Sequence, residues 1–187
     1  MNAVPQAKMS LQAFLAWENA QPERHEFHRG DVFAMVGARR THGTIVGNLM
    51  RELGNQLKGS PCRPFTDGMK IQIASDTILY PDVFVTCDKA DHATEMIFRA
   101  PMVVFEVLSP STQGYDRSQK FALYRRLPAL REYVLIDPET RRVEAFRRGS
   151  DDLWVLHDMS ETAVLQLPAL GVDIALAEVF DGVDPAA

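Results

Sequence analysis

Apolar residues recur at every fourth position from Ile45 through Leu49 and Leu53 to Leu57. That spacing lines one face of an α-helix. Thr41 opens this segment, THGTIVGNLMRELGNQLKG, and Gly59 suits its end. A shorter helix is expected from Ser10, a good capping residue, to about Asn19, with Leu11, Phe14, Leu15 and Trp17 on its apolar stripe. Between the two, HEFHRGDVFAMVG reads as a pair of short strands about an Arg29-Gly30-Asp31 turn, with Val32 to Val36 extended. From Cys62 onward the pattern is that of strands. Met69-Ile71-Ile73 alternates, Ile78 to Thr86 is interrupted by Pro81, and Met102 to Leu108 is nearly all apolar, as a central strand covered on both faces would be. A helix from Asp116 or Ser118 to about Leu127 follows. Then come a strand over Glu132 to Asp137, a turn at Pro138-Glu139-Thr140, a returning strand from Arg141 to Arg147, and short strands at Leu153 to His157 and Ala163 to Leu167. This order predicts a mixed α/β (α+β) domain with a central sheet.

Composition changes little in that picture. A chain of 187 residues that is 46% hydrophobic and 24% charged suits one globular domain. No stretch approaches the roughly 18 unbroken apolar residues of a membrane span, and MNAVPQAKMS lacks the pattern of a secretory signal. Cys62 and Cys87 have no metal-type spacing, so a reducing cytoplasm is the natural reading. Charge matters more. The net is −5, yet Arg117 to Arg148 holds nine Lys/Arg against four acids, a local +5 that leaves −10 elsewhere. Such a segment can be an electrostatic footprint for phosphates, although a charge run is more often a solvated face.

Three positions break the local rules. Pro81 cannot donate to a strand ladder, and Asp82 follows it directly into Val83-Phe84-Val85; alone, Asp82 reads as a solvent-facing acid at a strand start. Glu106 stands inside MVVFEVLSPST, where a carboxylate is costly to bury without a partner. A metal ion, an arginine or a proton would each resolve that cost. Lys120 follows a loop containing Ser109, Pro110 and Gly114 and shares a helical face with Tyr124. A helix folding back past the central strand would carry its ammonium to Glu106, although most lysines are exposed. Together, two acids on neighbouring strands and a nearby lysine are what phosphodiester cleavage needs. Carboxylates hold a hard cation such as Mg²⁺, the cation activates water, and the lysine stabilises phosphoryl charge.

The ordered set HEFHRGDVFAMVG, His42, YPDVFV, MVVFEVLSPST, YDRSQKFALYRR and EYVLIDP resembles the Uma-two family of restriction-endonuclease-like proteins, within the PD-(D/E)xK nuclease superfamily. The resemblance covers residues 8–175 as one domain, with 1–7 and 176–187 as terminal extensions. It implies a restriction-endonuclease-like three-layer fold with a mixed central sheet flanked by helices, and a metal-dependent endonuclease hydrolysing DNA. It further implies Mg²⁺ or Mn²⁺ at Asp82 and Glu106, with Val107 beside them, and catalysis by Asp82, Glu106 and Lys120. In the superfamily's plain form the lysine stands two residues after the second acid. Here that position is Leu108, and the resemblance implies that Lys120 of the following helix takes the role. Glu26 and His42 match the family's hairpin acid and helix-opening histidine, and Lys70, Ser109 and Tyr124 are further candidates to line the site.

Two other readings stay open. One is a noncatalytic nucleic-acid-binding or interaction module on a nuclease fold, since fold does not fix function. The other is a zinc centre at His25, His28 and His42, disfavoured because i and i+3 on a strand face opposite sides and no cysteine supports it. Cutting both strands of DNA makes a homodimer attractive, with ALGVDIALAEVF as a candidate interface, although packing on the domain's own core is the favoured reading of that stretch.

Overall fold

The computed structural model describes residues 7–35, 37, 39–66 and 68–183. Helix α1 (Leu11–Glu18) is capped by Ser10, whose hydroxyl accepts from the Ala13 amide at 3.2 Å. It packs Phe14 on Phe27 of β1 (His25–His28), which pairs antiparallel with β2 (Asp31–Ala34). Arg29 and Gly30 form the turn with φ of 50° and 90°, as a hairpin of this twist requires. The expected extension to Val36 falls outside the described residues. Helix α2 (Arg40–Gln56) buries Ile45, Leu49 and Leu53 completely, the face its four-residue spacing predicts.

Two sheets follow. The smaller has the order β2-β1-β5-β4-β7, with β4 Lys70–Ala74, β5 Thr77–Leu79 and β7 Ile97–Phe98. The larger contains β3 (Arg63–Thr66), β6 (Val83–Thr86), β8 (Pro101–Val107), β9 (Glu132–Asp137), β10 (Arg142–Arg148) and β11 (Trp154–Asp158), in the order β11-β10-β9-β8-β6-β3. The run Ile78 to Thr86 is therefore two strands in two sheets. Pro81 breaks the ladder and carries the chain from one sheet to the other.

The larger sheet is covered on both faces. Val103, Phe105 and Val107 of β8 face α2, while Val104 and Leu108 face a second cluster with Phe121 and Tyr124. Those aromatics belong to one helical run: α3 (Gln113–Tyr115), a π-helical turn (Asp116–Lys120) and α4 (Phe121–Tyr124). Strands β12 (Val164–Leu167) and β13 (Val172–Ala175) form a small hairpin, and α5 (Leu176–Val179) ends the described chain. Val172, Ile174, Val179, Phe180 and Val183 join the core around α2. The stretch ALGVDIALAEVF thus packs on the protein's own core, which continues past residue 175.

Cys62 and Cys87 form a disulfide. Strand β3 pairs with β6 from Arg63↔Thr86, and one further step in that register sets the two cysteines opposite each other. The expectation of two reduced thiols is not met, because their spacing in sequence hides this cross-strand neighbourhood.

Candidate metal and phosphodiester site

The pairing of β6 with β8 builds the site. Val83 faces Phe105 and Phe84 faces Val104. Continuing that register by one residue brings Asp82 opposite Glu106, on the same sheet face as Phe84 and Val104. Asp82 Oδ2 accepts from the Val107 amide at 2.7 Å, so the second strand fixes the carboxylate of the first. Its Oδ1 lies 3.1 Å from His42 Nε2, on the first turn of α2.

The helical run crosses that face and delivers Lys120. Its Nζ stands 2.9 Å from Glu106 Oε1, 3.3 Å from Glu26 Oε1 and 3.9 Å from Asp116 Oδ1, and donates to the Tyr80 carbonyl at 3.3 Å. Asp116 and Lys120 bracket the π-helical turn, a distortion that often accompanies functional positions. It lets both side chains reach the site while Phe121 and Tyr124 stay in the core. Glu26 is held by the Tyr80 amide at 3.1 Å. Tyr80 therefore serves the site with both backbone groups, the N–H to an acid and the C=O to the lysine.

Burial dominates the electrostatics. It pushes the Glu106 carboxyl well above its ordinary range, against the pull of Lys120 and with a further push from Asp82 and Asp116. Glu26 is raised by the same cause against Lys120 and the Tyr80 amide, and Asp116 by burial against Lys120. For Lys120 burial acts to lower, but Glu106 and Glu26 outweigh it and hold the ammonium well above its usual value. One cation thus meets three buried acids, with Asp82 beside them. Glu106 Oε1 touches Lys120 without an aligned hydrogen bond, and Glu26 Oε2 has no hydrogen-bond partner. An excess of buried carboxylate oxygens with unused acceptor capacity is the donor chemistry of a hard divalent cation. Among the described residues no group of three His, Cys, Asp or Glu side chains is itself arranged to hold a metal. Lys120 stands between the acids.

These residues open onto a cleft of about 640 Å³ lined by Glu26, His42, Asp82, Glu106, Val107, Ser109 and Lys120, with Arg24 and Arg39 also on its wall. Two candidates lie elsewhere. Lys70 is 1% exposed and pairs with Glu18 at 2.9 Å, and Glu18 in turn accepts from the Tyr80 hydroxyl at 2.8 Å. It braces Tyr80 from behind, because its side chain points to α1. Tyr124 is fully buried against Tyr133 behind Lys120 and does not line the cleft. The three histidines are also apart in their contacts: His25 packs on Trp17, His28 bonds Thr77, and His42 meets Asp82. Sequence reasoning passed over Asp116 and Tyr80 as site residues. The four-residue step from Asp116 to Lys120 was the available signal for the first. Tyr80 acts through its backbone, which leaves no signature.

The basic segment is largely consumed within the fold. Arg117 pairs with Glu144, Arg142 with Asp158, Arg147 with Glu132 and Arg148 with Asp152, while Arg141 holds the Phe180 and Val183 carbonyls. No helix among the described residues is long and apolar enough to cross a membrane.

A chain with this sheet, helical run and acid–lysine cleft has the architecture of a nuclease-like fold. Residues 11–177 match the family model Uma2, described as "Putative restriction endonuclease", and the chain belongs to that family. Two uncharacterized proteins of Synechocystis sp. are similar to it. One is 33% identical over 181 residues, covering 96% of this chain and 95% of the relative; the other is 34% identical over 157 residues, covering 82% and 89%. A crystal structure from Anabaena variabilis, titled as a putative nuclease belonging to DUF820, superposes with a TM-score of 0.77 at 17% identity, covering 94% of this chain and 99% of that one. That likeness shows the fold.

Proposed function

We propose that this protein is a metal-dependent endonuclease that hydrolyses DNA phosphodiester bonds. The observation that carries the reading is the Lys120 ammonium, held 2.9 Å from Glu106 in the cleft that Asp82 shares. Asp82 and Glu106, with the Val107 backbone beside them, would hold Mg²⁺ or Mn²⁺, and the bound cation would polarise the phosphate and lower the pKa of a water. The remaining work falls to the protein's own groups. Lys120 places a fixed positive charge where phosphoryl oxygens gain negative charge. Glu26 and Asp116 keep that amine protonated, and Tyr80 fixes its direction through the carbonyl. His42 orients Asp82. Replacing Asp82 or Glu106 by Ala should abolish cleavage of plasmid DNA in Mn²⁺ while circular dichroism stays native. Normal cutting by both variants would remove the proposal.

The second reading, a noncatalytic nucleic-acid-binding or interaction module, has one observation in its favour: Glu106 and Glu26 are turned to Lys120, so the acids already have a cation. Calorimetric titration with Mn²⁺ separates the two. Binding by the wild type that is lost in Asp82→Ala supports the enzyme, and no binding supports the module. A homodimer belongs to the first reading, because two strands need two sites. Sedimentation in the presence of duplex DNA tests it.

A further inference from the structure

A second pocket, about 380 Å³, lies between the β1–β2 hairpin and the helical run. It is lined by His28, Arg29, Phe33, Tyr115, Gln119 and Arg126, among others. It shares a wall with the site. Glu26 and His28 are two apart on β1 and so face the same way, roughly 7 Å apart along the strand. Phe33 of β2 stands opposite Glu26 on that face. Tyr115 is within electrostatic reach of Glu26, Lys120 and Glu106. The hairpin β1–β2 and the helical run thus form one groove, with the acid–lysine site toward Glu26 and this pocket toward His28.

Its chemistry is distinct from that of the site. Arg29 and Arg126 converge on a single carboxylate, Asp76, at 3.6 and 3.8 Å. Asp76 also accepts from the Thr77 hydroxyl at 2.9 Å, and that hydroxyl bonds His28 Nδ1 at 3.0 Å. Two guanidiniums against one acid leave an unmatched positive charge, and both arginines remain substantially solvated. Phe33 and Tyr115 bring aromatic rings to its wall, beside Gln119, Ala122 and Leu123. An arginine pair beside aromatic walls is the composition that takes a phosphate and an unstacked base together.

We propose that this pocket is a nucleotide subsite. It binds the nucleotide next to the bond cut at Lys120, its phosphate on Arg29 and Arg126 and its base against Phe33 and Tyr115. The proposal rests on the nuclease reading and adds a substrate preference. A base enters a pocket of this size only out of the stack, so single-stranded or frayed DNA is favoured over closed duplex.

The test measures binding of a fluorescein-labelled oligonucleotide, single-stranded and duplex, to full-length Glu106→Gln protein without cleavage. Arg29→Gln and Arg126→Gln should each weaken single-strand binding several-fold and lower the salt slope by about 0.7 per lost phosphate contact. Phe33→Leu should erase the preference for single strands. Arg142→Gln, remote and paired with Asp158, should change neither. Unchanged affinity and slope in both arginine variants, an equal loss in Arg142→Gln, or a strand preference untouched by Phe33→Leu each overturns the subsite. Cleavage by the wild type in Mn²⁺ is measured alongside. If it cuts while the variants bind normally, the subsite fails alone; if it neither cuts nor binds DNA, both readings fail.

Discussion

Lys120 carries the site because it is the cation among its buried acids. Removing one partner of a buried ionic cluster leaves the other charges stranded, at a cost of about 3–5 kcal/mol. Lys120→Met should therefore lower unfolding free energy by roughly that amount in urea denaturation at neutral pH, a loss far larger than that of an exposed lysine. Glu132 offers a cleaner titration, away from the cleft. It is 2% exposed, and burial raises its carboxyl above the ordinary 4.5 against the Ala169 amide and Arg147, which lower it. A carboxyl raised in the folded state binds its proton more tightly there than when unfolded. Its contribution is fully present below 4.5 and is lost as pH rises through the folded value. Glu132→Gln, which cannot lose a proton, should thus gain stability relative to wild type as pH rises from about 4 to about 7. Urea midpoints at the two pH values check the sign.

Among the elements, the helical run decides the geometry. The π-helical turn adds a residue to one turn, so Asp116 and Lys120 both reach the site while Phe121 and Tyr124 stay in the core. Deleting exposed Ser118 would restore an α-helical register and rotate one end of the run by about 100° relative to the other. Either Asp116 or the Lys120 end of the run would then be turned from its present place beside Glu106, although the two, three residues apart, would remain neighbours on the helix. Such a deletion should retain native circular dichroism and lose Mn²⁺-dependent cleavage, and a fully active deletion would show that the turn is incidental. On α2, Leu49→Ala removes a fully buried side chain and should cost about 2–5 kcal/mol by urea unfolding. That helix was legible because one periodic face met one core. The π-helical turn was not legible, since no residue in DRSQK differs from what an α-helix accepts. The split of Ile78 to Thr86 was half visible. Pro81 marked a break, but nothing local said that its two sides belong to different sheets.

Across the whole molecule, distance in sequence limited what could be read. Asp82 and Glu106 were recognisable as acids in the wrong surroundings, and the strand register explains why they meet. The bracing of Tyr80 by Glu18 and Lys70 joins α1, β4 and the loop before β6, three segments with no shared pattern. The Cys62–Cys87 bond depends likewise on β3 lying beside β6. By loop closure over 25 residues it should contribute roughly 3–4 kcal/mol. Reductant should lower the melting temperature, and Cys62→Ser should show the same loss without further response to reductant. The basic segment misled in the other direction, because its arginines find carboxylates on the neighbouring strands, on the same hairpin and across from the helical run.

On the proposed reading, Lys120, supplied by the helical run, works with Glu106 as one unit. Single-turnover cleavage of plasmid DNA in Mn²⁺ by wild type, Lys120→Met, Glu106→Gln and the double variant tests it directly. Groups that act as a unit are non-additive. Each single variant should fall roughly 100-fold or more, and the double should be no slower than the worse single. A Lys120→Met protein that stays folded and cuts at the wild-type rate would contradict the account.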